Sequence, residues 1–285
     1  MAIKGINTAP IKQGERLFVM TLKVKDHDNN DRMVFMQIPT LVDFLIILRN
    51  RMSKVVKRLE ERGESYKAEL IAVTESLAKN IPEIVQAEVM QPDPGNLIIS
   101  MAPKFYDEQF KLIAVLNNQS VVTIEIDDSQ VEFIILAIQK AIEVADDKES
   151  MQTIGAVLDF LMLYNADLAN LDNFQYREVK HDPWKENLFS HYMAILYCFN
   201  TEAGKQILAG AVIKTDAQPN SAEAEQIIKK LAALNYTIKS ITEKSQLCQV
   251  FSRIIPSQPE QILTKEDCLK ALHRFCVEMQ GNILQ

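Results

Sequence analysis

The chain has 285 residues, of which 47% are apolar and 24% charged, with a formal net charge of −7. That length supports a substantial core in one large domain or two ordinary ones, and the composition is that of a globular protein rather than a disordered one. The acidic balance excludes a broadly basic nucleic-acid or lipid-surface protein but leaves room for a local basic patch.

The first forty residues read as strands: 16–25 and 32–38 are β-rich and flank the polar turn Asp26–Asp31. A helix is expected from about Thr40. Its apolar residues Leu41, Leu45, Leu48, Met52, Val55 and Leu59 alternate steps of four and three, and the phase continues through Tyr66, Leu70, Val73 and Leu77. Either a helical hairpin broken at Gly63 or one kinked helix satisfies that pattern, since a mid-helix glycine costs only about 1 kcal/mol. Met90-Gln-Pro-Asp-Pro-Gly95 then stops regular structure. Strands are expected at 97–102, 109–116 and 120–126, followed by a helix whose Val131, Ile134, Ile135, Ile138, Ile142 and Ala145 share a face. A second helix is expected over 149–164. The last third holds strands near 188–199, 205–214 and 247–255, with helices near 221–234 and 265–280.

Thr40-Leu-Val-Asp43, Ser129-Gln-Val-Glu132 and Thr264-Lys-Glu-Asp267 each match the capping-box pattern. In the first two copies a strand ends just before the box, and the match extends to Phe44/Phe133 and Leu45-Ile46/Ile134-Ile135, which points to an internal duplication. The expected fold class is α+β, with antiparallel sheets each backed by helices in repeated strand-strand-strand-helix modules. The expected division is 1–90, 91–170 packed with the first, and a C-terminal module over 171–285.

Nothing suggests a cofactor. Only eight glycines occur, and neither dinucleotide nor phosphate-loop fingerprints are present. Four histidines are scattered, and Cys198, Cys248, Cys268 and Cys276 show no C-x-x-C spacing, as in reduced, partly buried thiols. No run approaches the roughly 18 apolar residues of a membrane span, and the amino terminus lacks a secretory apolar segment, so a cytoplasmic location is expected. The Asp26–Asp31 turn alternates oxygen ligands like a calcium loop but has Asp31 and Gln37 where glycine and a bidentate acid belong, so a solvated hairpin is the better account. Cys268 and Cys276 fall in the apolar stripe of the last helix while His273 points elsewhere, so they do not make a metal site.

Two groups of residues stand out as candidate sites. Arg51, Lys54, Arg58 and Arg62 fall on one side of the first long helix, a basic strip that could contact phosphates or an acidic protein, although a solvated face balanced by Glu60 and Glu61 explains it more simply. The segment His181-Asp-Pro-Trp-Lys-Glu-Asn187 carries the only tryptophan, and His181, Trp184, His191 and Tyr192 form a candidate surface site, with a lid over the core as the plainer role of Trp184.

Several runs give a resemblance: Trp184-Lys-x-Asn187-Leu-Phe-x-His191-Tyr192, Gly210-Ala-Val-Ile-Lys214-Thr215 and Cys268-Leu-Lys-Ala-Leu-His273, with Lys4-Gly-Ile-Asn-Thr8, Asn80-Ile-Pro-Glu-Ile84 and Leu158-Asp-Phe-Leu161. On these the chain resembles the YjeJ-like family of uncharacterised enterobacterial proteins, over nearly its whole length. The resemblance implies a bacterial cytoplasmic protein and carries over no catalytic residue. The function expected from the residues themselves is a non-enzymatic interaction or scaffold protein that associates with itself, and with another protein as a further partner. Its warrant is the long apolar stripe of 41–77. A nucleic-acid module using the basic strip, or an enzyme with a site near 181–192, are the alternatives; no membrane partner is expected.

Overall fold

The computed structural model describes residues 2–258 and 261–283, with Asp172 described by its backbone alone. The chain is α+β, with antiparallel sheets and helices throughout, and it divides into two compact units at Leu158/Asp159.

The first unit starts with a three-stranded meander, β1 (Ile3–Gln13), β2 (Arg16–Asp26) and β3 (Asp31–Gln37), paired in that order. Strand β1 goes beyond the sequence reading, because Gly5 and Pro10 dilute its alternation. Glycine is required at Gly5 for space: a Cβ there would lie 1.9 Å from the Asn80 carbonyl oxygen. The Asp26–Asp31 segment is a hairpin turn, closed by the Asp26 carboxylate accepting the amides of Asp28 and Asn30, each at 2.9 Å.

Helix α1 (Ile38–Arg62) follows directly. Its first half is apolar on every side, and Leu41, Phe44, Ile47 and Leu48 are fully buried, as such a helix must be. Gly63, at φ +62°, ends α1 and begins α2 (Glu64–Lys79), which resolves the choice at that glycine in favour of two helices. The heptad stripe is largely internal: Leu41, Leu45, Leu48, Val55, Tyr66 and Leu77 are buried within the unit, and the remaining stripe residues are half-buried. It does not offer the spare apolar surface that the sequence pattern promised.

After the short α3 (Gln86–Met90), a second meander forms from β4 (Ile98–Phe105), β5 (Gln109–Leu116) and β6 (Val121–Asp127), again paired in chain order. Single parallel bridges, Ala2 with Glu125 and Phe35 with Leu97, join the two meanders. A 3-10 turn over Asp128–Gln130 leads into α4 (Val131–Ala145), which packs on β1 and β2. Helix α5 (Lys148–Val157) is capped by Asp147.

Two of the three expected capping boxes do not form as read. Helix α1 is preceded by Gln37, without a side-chain cap, and carries Pro39 in its first turn. At the second start the Gln130 side chain accepts the Asp127 amide at 3.1 Å, in place of a box between Ser129 and Glu132. The third box forms as read: the Thr264 hydroxyl accepts the Asp267 amide at 3.2 Å while the Asp267 carboxylate accepts the Thr264 amide at 3.3 Å.

The second unit holds a five-stranded sheet ordered β11-β9-β10-β7-β8, from β7 (Phe160–Asp167), β8 (Gln175–Glu178), β9 (His191–Thr201), β10 (Gly204–Thr215) and β11 (Gln246–Ile255). The helix expected over 149–164 therefore stops at Val157, and 160–167 is a strand, held by its antiparallel pairing with β10. Helices α6 (Pro183–Glu186), α7 (Ala222–Leu234), α8 (Tyr236–Thr242) and α9 (Lys265–Ile283) complete the unit. Met193, Ile195, Tyr197 and Phe199 of β9 pack under α7 and α8. Helix α9 covers the opposite face, where Leu272 reaches Gly210, and a Cβ on Gly210 would come within 3.2 Å of it. Burial from both sides explains why β9 reads as an unbroken apolar run rather than an alternating one.

Candidate functional site

The side chains of the expected basic strip do share one side of α1, but three of the four are committed to partners within the fold. Arg51 is fully buried, with Nε 2.5 Å from Asp128 Oδ1 and Nη2 2.6 Å from both Asp128 Oδ2 and the Asp107 carbonyl. Arg58, 8% exposed, donates to the same Asp128 carboxylate and the same carbonyl, and Arg62 pairs with Glu108. Burial alone would lower the Arg58 pKa, but the Asp128 carboxylate outweighs it and the net shift is upward. Lys54 stays exposed, its pKa lowered by partial burial and then by the Arg51 charge. Helix α1 thus uses its arginines to fasten the β4–β5 turn and the 128–130 turn. Two of the strip's four cations, Arg51 and Arg58, are thus buried in the fold, while Lys54 and Arg62 remain at the surface.

The 181–192 segment is likewise tied into its own unit. His181 Nε2 lies 2.6 Å from the Met162 carbonyl, and Trp184, half-buried on α6, sits beneath the Lys185 ammonium at 5.5 Å. His191 and Tyr192 are neighbours on β9, so they point to opposite faces of the sheet. His191 lies 2.7 Å from the Ala217 carbonyl on one side. On the other, the Tyr192 hydroxyl donates to Glu186 at 3.3 Å and accepts the Leu263 amide at 3.0 Å. Beside it Lys214, 3% exposed, donates to the Glu186 carbonyl at 2.6 Å and lies 4.7 Å from the Tyr192 ring centroid. Burial pushes Tyr192 and Cys268 up to about 12 and lowers Lys214. Lys214, Glu186 and Tyr192 form a latch that holds α6 and the approach to α9 against the sheet.

Each unit also carries a surface cavity that no local motif marked. In the first unit a groove of about 650 Å³ runs between β1, α4 and the end of α2. Ile6 and Ala141 floor it, and Ile81, Leu136 and Val144, exposed by 46%, 56% and 68%, rise along its rim. Lys140 is the only cation among its lining residues. In the second unit a cavity of about 620 Å³ opens between the β7–β8 ladder and the junction of α7 with α8. Asn165 and Asn235 line it, joined by a 2.8 Å hydrogen bond.

All four cysteines are free thiols, with Cys198 and Cys248 3.7 Å apart on neighbouring strands. Cys268 and Cys276 are buried in the core stripe of α9, while His273 stacks on Phe174 instead. Among the described residues no helix is long and apolar enough to cross a membrane, and no three His, Cys, Asp or Glu side chains gather as metal ligands.

The comparisons with known proteins agree with the resemblance seen in the sequence. No solved structure matches the chain. The Escherichia coli (strain K12) protein named "Uncharacterized protein YjeJ" is 31% identical over 279 residues, covering 98% of this chain and 96% of that protein. The family profile described as YjeJ-like matches residues 1–282, and the chain belongs to that family.

Proposed function

We propose that the protein is a non-enzymatic interaction protein of the cytoplasm that works by associating with itself, through the groove of its first unit. The observation that carries this reading is the pairing of an apolar groove with an apolar ridge on the same helix. Leu136 and Val144 stand exposed on α4 directly beside the cleft that α4 forms with β1. Large apolar side chains clustered at a cleft are costly to leave in water, at about 25 cal/mol for each Å². A two-fold dimer requires a patch that is its own complement, and a ridge flanking a groove meets that requirement: the ridge of one copy fills the groove of the other. A second copy is therefore the occupant. The 41–77 stripe, which first suggested self-association, does not serve, because it is spent inside the unit.

Light scattering after size exclusion tests the proposal. The full chain should have twice its single-chain mass, and Leu136→Glu with Val144→Glu should return it to one while leaving the circular dichroism spectrum unchanged. A wild-type chain of single mass at about 100 μM, where interfaces of micromolar affinity are filled, would overturn it.

A further inference from the structure

Strand β11 is the outer strand of the five-stranded sheet, with β9 as its one neighbour. Its pairing with β9 slips by one residue between Leu247, opposite Phe199, and Gln249, opposite Cys198. Cys248 is therefore the extra residue of a β-bulge, a device that takes one side chain out of the regular alternation and re-aims it. Here it carries the Cys248 Sγ to 3.7 Å from the Cys198 Sγ and 3.3 Å from the Cys198 carbonyl oxygen. Two thiols from residues 50 apart thus stand in contact.

The two thiols are not equivalent. Cys248 is exposed, whereas Cys198 is fully buried. Burial pushes the Cys198 thiol up to about 11, and the hydrogen bond from Cys248 adds to that rise. Thiol reactivity follows exposure and thiolate character, so Cys198 is shielded from reagents in solution and reacts with what Cys248 brings to it. Cys268 and Cys276 share the burial but lie in the core stripe of α9. A disulfide needs its sulfurs about 2.05 Å apart. Cys248 can make that approach because it sits in an irregular step of a strand that is held along one side only.

We propose that Cys248 and Cys198 form a dithiol oxidised by hydroperoxides, with Cys248 as the thiol that meets the peroxide and Cys198 as the thiol that resolves it. The Cys248 thiolate attacks the terminal oxygen of the peroxide. An S–O bond forms, the O–O bond breaks, and the departing oxygen takes up the proton that Cys248 released, leaving as an alcohol, or as water from hydrogen peroxide. The peroxide is reduced by two electrons and Cys248 becomes a sulfenic acid. The Cys198 Sγ then attacks the Cys248 sulfur: the S–S bond forms, the S–O bond breaks, and hydroxide leaves with the Cys198 proton as water. The product ties the outer strand to β9. The inference concerns the second unit alone and does not depend on the groove on α4.

Peptide mapping by mass spectrometry of the full chain, reduced and then treated with excess hydrogen peroxide, tests it. A peptide pair joined through Cys198 and Cys248 should appear, lighter by two hydrogens than its reduced parts. Free thiols titrated after unfolding should fall from four to two per chain, and dithiothreitol should restore them. Cys248→Ser should keep its three thiols under the same treatment. Cys198→Ser should stop at the Cys248 sulfenic acid, which dimedone captures. Should that variant fail to fold, dimedone added with the peroxide to the unaltered chain makes the same test: the adduct should appear on Cys248 and the disulfide should decrease. A wild-type chain that keeps four thiols would overturn the proposal. So would oxidation of Cys248 to the sulfinic acid with no bond to Cys198, or loss of the Cys198 thiol at the same rate in Cys248→Ser.

Discussion

Each unit buries a polar cluster, and the two are finished in opposite ways. In the first, Asp128 and the Asp107 carbonyl take up nearly all that Arg51 and Arg58 offer, and Nη1 of Arg51 alone among those buried atoms lacks a partner. In the second, Asn165 Nδ2 donates to Asn235 Oδ1, while Asn165 Oδ1 and Asn235 Nδ2 are buried without a partner. The first arrangement spends polar groups on holding turns together. The second leaves part of its hydrogen bonding unmet. Burial does not distinguish the two clusters; what distinguishes them is whether the hydrogen bonds close within the chain.

The largest effect expected from this comparison lies at Asp128. Asp128→Ala leaves two guanidiniums buried without their counterion, which costs about 3–5 kcal/mol. Urea unfolding should show that loss, whereas Asn165→Leu, which removes an amide only half satisfied, should cost far less. Equal losses would mean that the half-satisfied pair holds the fold as firmly as the closed one. Gly5→Ala comes next, since its new methyl would meet the Asn80 carbonyl; overpacking of this kind costs about 1–3 kcal/mol, read from the shift in the urea midpoint. Thr264→Ala should cost about 1 kcal/mol by removing the N-cap of α9, a change on the surface of the second unit that leaves its cavity intact.

The smallest effect is one of pH. Asp147 is held down to about 2, from an ordinary value of 3.8, by the Ser150 hydroxyl, the Ser150 amide and the Leu17 amide. A carboxylate whose folded pKa is depressed stabilises above its unfolded pKa, and that contribution is lost as pH falls through the folded value. Asp147→Ala should therefore lower the thermal midpoint at neutral pH, and the two proteins should converge between about pH 4 and pH 2. A gap that stayed constant through that window would show that the carboxylate charge is not what fastens α5 to β2.

Much of the fold was legible where a long segment had one dominant period. Helix α4, strand β5 and the three C-terminal strands were read within a few residues, because apolar spacing there matches burial. Strand β7 was misread because Phe160-Leu161-Met162-Leu163 continues an apolar helical pattern, and only its pairing with β10 decides its state. The polar Gln175–Glu178 strand carries no apolar signal at all, yet its ladder with β7 aligns Arg177 with Asn165. The helical wheel correctly grouped Arg51, Arg58 and Arg62 but could not say whether that side faces water. Their counterion, Asp128, lies 70 and 77 residues away from Arg58 and Arg51. The asparagine pair shows the same limit: its donor and acceptor are defined by bonds between residues 70 apart.

The central functional claim is that the chain pairs with a second copy through α4 and β1. Hydrogen exchange followed by mass spectrometry, compared between dilute and concentrated protein, tests it most directly. Concentration should slow exchange in peptides covering residues 3–13 and 131–145, while peptides from the second unit stay unchanged. Exchange in those two segments that is independent of concentration would contradict the account.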